Sequence, residues 1–203
     1  MRPARLIVYS DYLCPWCFNA AVRLHRLEED LGADLVLEWR SFLLRPEPDP
    51  RRTLEKFKAY TQSWMRPAAD SDAGEFRVWS TDEGPPSHSI PPQLVAKAAA
   101  SLGGSAFADM HRRLLRAYFT ENHDITDTDT LYALWQECGL PPAEFARRED
   151  PALLRQVLEE HNEAVELGIG GVPAVRAAGT DAAITGAHPL EMYRRWVDKL
   201  LAQ

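Results

Sequence analysis

The sequence predicts an α/β fold that is split in sequence around an all-helical insertion. Three observations carry that expectation. An apolar run, a helical pattern and a second apolar run follow one another within residues 1–45. From Arg51 to Gly168 helical patterns recur without a convincing strand. Residues 168–203 then return to short strands and a closing helix. The expected organisation is one α/β domain from residues 1–45 and 168–203, with residues 46–167 as a helical insertion domain.

Leu6 to Tyr9 is a short continuous apolar run, the mark of a buried strand. Ser10-Asp11-Tyr12-Leu13 leads from it to Cys14-Pro15-Trp16-Cys17. Ala20, Leu24, Leu27 and Leu31 then recur at helical spacing, and Gly32 stands where a left-handed cap is common. Leu35 to Leu44 reads as a second strand, with Val36, Trp39 and Phe42 among its apolar residues. Strand, helix and strand in that order form the unit of a parallel sheet.

In the insertion, residues 52–65 read as one helix and residues 67–90 as a long loop rich in Pro, Gly, Ser and Asp. Pro91 opens a helix that runs to about Leu102, since proline is tolerated at the first helical position. Residues 105–121 form another, with Phe107, Met110, Leu114 and Phe119 on its apolar positions. Thr126 followed by Asp129 reads as the cap of a helix ending near Gly139. Asp150-Pro151 caps and starts a last one, to about Leu167. Beyond the loop Gly168 to Gly171, Val172 to Ala177 and Ala182 to Thr185 read as strands around the turn Ala178 to Asp181. Pro189 to Leu201 is the terminal helix, with Met192, Trp196 and Leu200 on one face.

Composition narrows the function. The 203 residues are 45% hydrophobic and 26% charged, ordinary for a folded soluble protein. Twenty-three Lys and Arg stand against 30 Asp and Glu, a formal net charge of -7 without a basic run. Such a chain is a poor partner for nucleic acid or an anionic membrane. No apolar stretch approaches the ~20 residues of a membrane span. Leu6 to Tyr9 is too short for the core of an export signal, so a cytoplasmic location is expected. Three cysteines are too few for a disulfide scaffold, and in a reducing compartment a close pair points to redox or metal chemistry.

Cys14 and Cys17 lie three apart at the start of a helix, on one face. One thiolate can attack a substrate disulfide while the other resolves the mixed disulfide. The unpaired amides and dipole of the helix N-terminus favour negative charge on Cys14, the expected exposed nucleophile. Cys17, one turn deeper, is the expected resolving thiol. Pro15 suits the first turn because its missing amide hydrogen has no helical partner there. A structural zinc site normally needs four protein ligands. The only other cysteine is Cys138, and no histidine pair has suitable spacing, so no metal and no cofactor are expected.

These features resemble the DsbA-type thioredoxin family over nearly the whole chain. The order of strand, Asp11, Cys14-Pro15-Trp16-Cys17, helix, strand, helical insertion, Gly171-Val172-Pro173, hairpin and terminal helix carries the resemblance. The nearest pattern is the FrnE-like branch, which is similar to 2-hydroxychromene-2-carboxylate isomerases and kappa-class glutathione transferases. Ala117-Tyr118-Phe119-Thr120, Asp124-Ile125-Thr126-Asp127 and Gly186-Ala187 look like that branch. Where relatives usually carry Gly-Arg or Gly-Lys, this chain has Asn122-His123. The resemblance implies a thioredoxin-like fold with a large all-helical insertion. It also implies a cis Val172-Pro173 bond beside the cysteines, leaving the Val172 backbone free to pair with an extended substrate.

Trp16 is a candidate to shield the disulfide or contact substrate, against the plainer reading of a packing aromatic. His88 is a candidate to face the site across the insertion, against that of a solvated loop histidine. The remaining histidines read as surface or satisfied residues. Cys138 reads as a small apolar helix residue. Glu38 reads as a strand-edge charge rather than a proton acceptor for Cys17.

The leading expectation is dithiol–disulfide exchange with protein or peptide thiols and disulfides, with glutathione as a possible redox partner. The alternative is glutathione-dependent isomerisation or transfer on an aromatic small molecule. Relatives with that chemistry generally lack the paired cysteines, and a resolving thiol is needed only for exchange. A binding adaptor or chaperone is a third class, disfavoured by the intact cysteines.

Overall fold

The computed structural model describes residues 2–202; Met1 and Gln203, the outer ends of the expected split domain, lie outside the described residues. Strand β1 (Ala4–Ser10) is followed by helix α1 (Pro15–Leu31) and strand β2 (Leu35–Ser41), with β1 and β2 parallel and Val8 opposite Trp39. A parallel pair requires a crossover, and α1 supplies it. The insertion contains α2 (Leu54–Thr61), α3 (Met65–Ala68), α4 (Ile90–Ala100), α5 (Gly104–Phe119), α6 (Thr128–Glu137) and α7 (Pro151–Glu166). Strands β3 (Ala174–Ala177) and β4 (Ala183–Thr185) and helix α8 (Leu190–Leu201) complete the chain. The sheet order is β2-β1-β3-β4, with β3 antiparallel to both neighbours. This is the thioredoxin-like arrangement with an all-helical segment between β2 and β3.

Alternation along β1 divides the core. Leu6 and Val8 face Leu24 and Leu27 of α1 and Tyr193 and Val197 of α8. Ile7 and Tyr9 face Phe42, Ala164 and Ile169 on the other side. A central strand covered on both faces reads as continuous hydrophobic sequence, which is why Leu6 to Tyr9 shows no polar alternation. The largest cluster lies in the insertion, where Phe57, Trp64, Trp79, Tyr118 and Phe119 pack together. It takes in Tyr12, Leu13, Phe18 and Ala21 from the turn after β1 and from α1.

Strand β2 is an edge, and helices of the insertion occupy two hydrogen-bonding groups near its end. Lys97 Nζ donates to the Trp39 carbonyl at 3.2 Å, and Glu160 accepts from the Ser41 amide at 2.6 Å. Lys97 and Glu160 also pair with each other at 2.7 Å, both nearly buried. Arg23 of α1 reaches Asp70 at 2.7 Å, Asp72 at 2.5 Å and the carbonyls of Ala187 and His188 at 3.1 Å.

Several expected boundaries move. The helix over 52–65 starts late, at the Thr53 cap, and breaks into a 3-10 turn at Gln62–Trp64 before α3. The cap of α6 is Asp127, which accepts from the Thr130 amide at 2.8 Å; the Thr126 hydroxyl instead accepts from the Ser87 amide across the loop. A 3-10 segment at Pro142–Glu149 was not expected. Strand β2 stops at Ser41, and β3 begins only after the cis Val172–Pro173 bond. On α8 the buried residues are Tyr193 and Val197, whereas Met192 is exposed.

Two histidines join α1 to α5. His25 Nε2 lies 2.9 Å from His111 Nδ1, and both rings are buried. Glu28 faces the other nitrogen of His25 at 3.3 Å, while Trp39 and Tyr12 pack on His111. Burial, helped by His25, Arg112 and Lys97, holds His111 well below the ordinary histidine range. The unfolded chain therefore takes up a proton below pH ~6.5 that the folded chain refuses, and stability falls as pH drops through that region. The raised carboxyl of Asp11 acts in the opposite direction, so the test is a comparison. Urea unfolding between pH 7.5 and 5 is expected to show a steeper loss in the wild type than in His111→Gln. Parallel slopes would refute the assignment.

Candidate active site

The site begins where β1 ends. The fully buried Asp11 carboxylate accepts from the Leu13 amide at 2.7 Å and the Leu44 amide at 2.6 Å. Its carbonyl accepts from the Cys14 amide at 3.1 Å, closing the turn that delivers the first cysteine. Gln93 of α4 supports this turn from below, donating to the Ser10 carbonyl at 2.9 Å and accepting from the Ser41 hydroxyl at 3.0 Å. Burial pushes the Asp11 carboxyl up, against the Ser89 hydroxyl, the two amides and the charge of Arg45.

Cys14 is the N-cap of α1. Its Sγ accepts from the Cys17 amide at 3.3 Å, and Pro15 occupies the first helical position. Sulfur thus stands where the orphan amides and the helix dipole favour negative charge. The Cys14 thiol also donates to the Val172 carbonyl at 3.3 Å. The Val172–Pro173 bond is cis, and this contact puts the loop against the first cysteine. Cys14 and Cys17 are both free thiols. Cys17 has no exposed surface; burial pushes its thiol well up, aided by Cys14 and opposed by the Asp11 amide and the Ser10 hydroxyl.

One expectation fails in degree. Cys14 is only 4% exposed, because the turn and the Val172 carbonyl cover its sulfur. The exposed group beside it is Trp16, at 40%. His88 is half-buried, 2.8 Å from the Ser87 hydroxyl, and burial lowers its pKa. No hydrogen bond joins His88 to either cysteine among the described residues. Glu38 sits on the sheet edge, bound to Arg40 at 2.5 Å and Arg5 at 3.6 Å. Cys138 ends α6 and packs partly on the insertion core, where burial raises its thiol.

Asp11, Ser89 and Gln93 were not singled out from sequence as positioning residues. An Asp three residues before a helix cap is a local signal for a side-chain–backbone turn. The contributions of Ser89 and Gln93 are long-range and carry no local signature. Asn122 has a positive φ of 62°. Its side chain accepts from the Ser80 amide at 3.0 Å and donates to the Arg77 carbonyl at 3.1 Å, so it adopts the left-handed turn and pins the 77–81 loop. No group of three or more His, Cys, Asp and Glu side chains is placed to hold a metal ion among the described residues. No helix is long and apolar enough to cross a membrane among those residues.

A thioredoxin-like sheet, a Cys-Pro-Trp-Cys dithiol at a helix N-terminus and a cis-proline loop against it define the class of protein. A family model described as DSBA-like thioredoxin domain matches residues 5–198, and the chain belongs to that family. It is 29% identical over 202 residues to the uncharacterized protein YwbO of Bacillus subtilis, covering 93% of this chain and 92% of that one. Among solved structures, the cytosolic disulfide reductase DsbM from Pseudomonas aeruginosa with GSH has a TM-score of 0.78. It is 20% identical and covers 98% of this chain and 100% of its own. A 2-hydroxychromene-2-carboxylate isomerase has a TM-score of 0.65 at 18% identity, covering 97% of this chain and 95% of its own. At those identities the likeness is one of fold.

The Asp11 turn has a measurable cost of removal. Asp11→Ala leaves the Leu13 and Leu44 amides without acceptors, an expected loss of about 2–4 kcal/mol. Asp11→Asn retains one carbonyl acceptor and is expected to lose less. Urea unfolding of the two variants checks the order, and equal losses would contradict it.

Proposed function

We propose that the protein is a thiol–disulfide oxidoreductase acting on protein or peptide substrates, with Cys14 as nucleophile and Cys17 as resolving thiol. The supporting observation is the placement of Cys14 as the α1 cap against the Val172 carbonyl, with Cys17 buried one turn deeper. The Cys14 thiolate attacks one sulfur of a substrate disulfide, forming a mixed disulfide and releasing the first substrate thiolate. Cys17, its proton passing to the released thiolate, then attacks the Cys14 sulfur, breaking the mixed disulfide and releasing the second. Two electrons pass from the dithiol to the substrate, leaving a Cys14–Cys17 disulfide. Two thiols of a reductant such as glutathione restore the dithiol, and the reverse sequence oxidises a substrate.

In this reading the Val172 backbone, beside Pro173, pairs with an extended substrate, Trp16 covers the mixed disulfide, and His88 lies on the substrate rim. A reducing, cytoplasmic setting fits the three-cysteine composition. The second reading is glutathione-dependent isomerisation or transfer on an aromatic small molecule, and it shares the fold of the isomerase. It gives Cys17 no task, which is why exchange is preferred.

Cys14→Ser is expected to abolish exchange, and Cys17→Ser to accumulate a mixed disulfide on Cys14. Mass spectrometry after incubation with a disulfide peptide reads both. An adduct on Cys17 in Cys14→Ser, with none on Cys14 in Cys17→Ser, would reverse the roles. Glutathione conjugation or isomerisation that survives Cys17→Ser at full rate, without disulfide exchange in the wild type, would favour the second reading.

Cys138→Ala is expected to leave the exchange rate within about twofold while costing about 1 kcal/mol of stability. Loss of turnover with the fold intact would place Cys138 in the redox chemistry.

A further inference from the structure

The loop leaving β2 carries an exposed apolar residue and a cation toward the cysteine turn. Phe42 and Leu43 are buried, but Leu44 is 45% exposed, although its amide is fixed by the Asp11 carboxylate that shapes the turn holding Cys14. Arg45 follows. Its amide donates to the Ser89 hydroxyl at 3.0 Å, and its carbonyl accepts from the Ser89 amide at 2.8 Å. The backbone at Arg45 is thus clamped from both sides, and Ser89 is itself buried.

The guanidinium is treated differently from its neighbours. Arg51 is engaged by Asp49 at 2.9 Å, and Arg52 donates to the Pro86 carbonyl and lies over the Phe57 ring. Arg45 makes no side-chain hydrogen bond or ion pair among the described residues. The acidic groups that feel its charge are Asp11, already accepting two amides, Asp49, already held by Arg51, and the buried phenol of Tyr118. A cation on a clamped backbone, without a dedicated partner and next in sequence to Leu44, whose amide the Asp11 carboxylate holds, is suited to bind an external anion. Trp16, between the two cysteines, and Leu44, held through its amide by Asp11, add exposed apolar surface.

We propose that Arg45, with Leu44 and Trp16, reads the group beside the reacting sulfur and selects disulfides flanked by a carboxylate. This rests on the oxidoreductase reading and names its substrate class. Recognition leaves the exchange itself unchanged. It acts on the encounter and on KM, because complementary charge steers association and holds the substrate's register.

The test uses two symmetric peptide disulfides that differ only in having Glu or Lys next to each cysteine, with glutathione disulfide as a third substrate. The wild type is expected to show kcat/KM about three- to tenfold higher for the Glu peptide, mostly in KM, with a smaller gap in high salt. Arg45→Gln is expected to bring the ratio near one and Arg45→Glu to invert it. The limiting rate of Cys14 alkylation by a neutral reagent at high pH, where the thiol is fully ionised, should not change in Arg45→Gln. Slowing of glutathione disulfide as well assigns Arg45 to carboxylates in general, whereas an effect on the Glu peptide alone assigns it to acidic peptides. Equal rates for the two peptides, or a preference that persists in Arg45→Gln, would overturn the inference while leaving the oxidoreductase reading intact. Exchange with none of the substrates would remove that reading and this one together.

Discussion

The Asp11 carboxylate is the constraint on which the rest of the site depends. One oxygen holds the turn before Cys14 and the other holds the chain as it leaves β2. The two segments are distant in sequence, yet their relative position sets where the Cys14 sulfur meets the Val172 carbonyl. A buried carboxylate is costly unless its lone pairs are used. Here two amides and the Ser89 hydroxyl use them, which offsets part of the cost of burial while one carboxylate ties two stretches of backbone together.

The insertion is not an appendage. Its aromatic core includes Phe18 and Ala21 of the helix that carries Cys17, and His111 of α5 bonds His25 of that helix. Arg23 draws the 70–72 loop and the entry to α8 onto the same helix. Helix α1 is therefore fixed by the sheet on one side and by inserted helices on the other, and Cys17 shares that rigidity.

Much of this was legible in local sequence. The strand at Leu6 to Tyr9, the crossover helix ending at Gly32 and the Asp150-Pro151 start of α7 all rest on signals within a few residues. The Cys14 and Cys17 pair was legible for the same reason. What escaped depends on distant partners. Thr126 looks like a cap until its hydroxyl is seen serving Ser87, so Asp127 caps instead. Met192 and Trp196 have the spacing of a buried face. Yet Tyr193 turns inward because its hydroxyl reaches the Gly186 carbonyl and the His188 amide. The shallow exposure of Cys14 likewise follows from a carbonyl far along the chain, which spacing cannot reveal.

The side chains along β2 have a consequence for how the molecule meets other chains. An open strand edge is a template on which foreign strands can grow, and natural sheets blunt such edges with charge or cover. Lys97 and Glu160 occupy groups on the outer margin of β2, and the His161 ring accepts from the Leu43 amide just beyond it. Growth from that margin would require breaking a nearly buried ion pair. The opposite margin is β4, a strand of three residues, which offers little length for templating. The sheet is thus guarded by charge over the end of one flank and by brevity on the other, which limits the length of strand on which a second chain could grow.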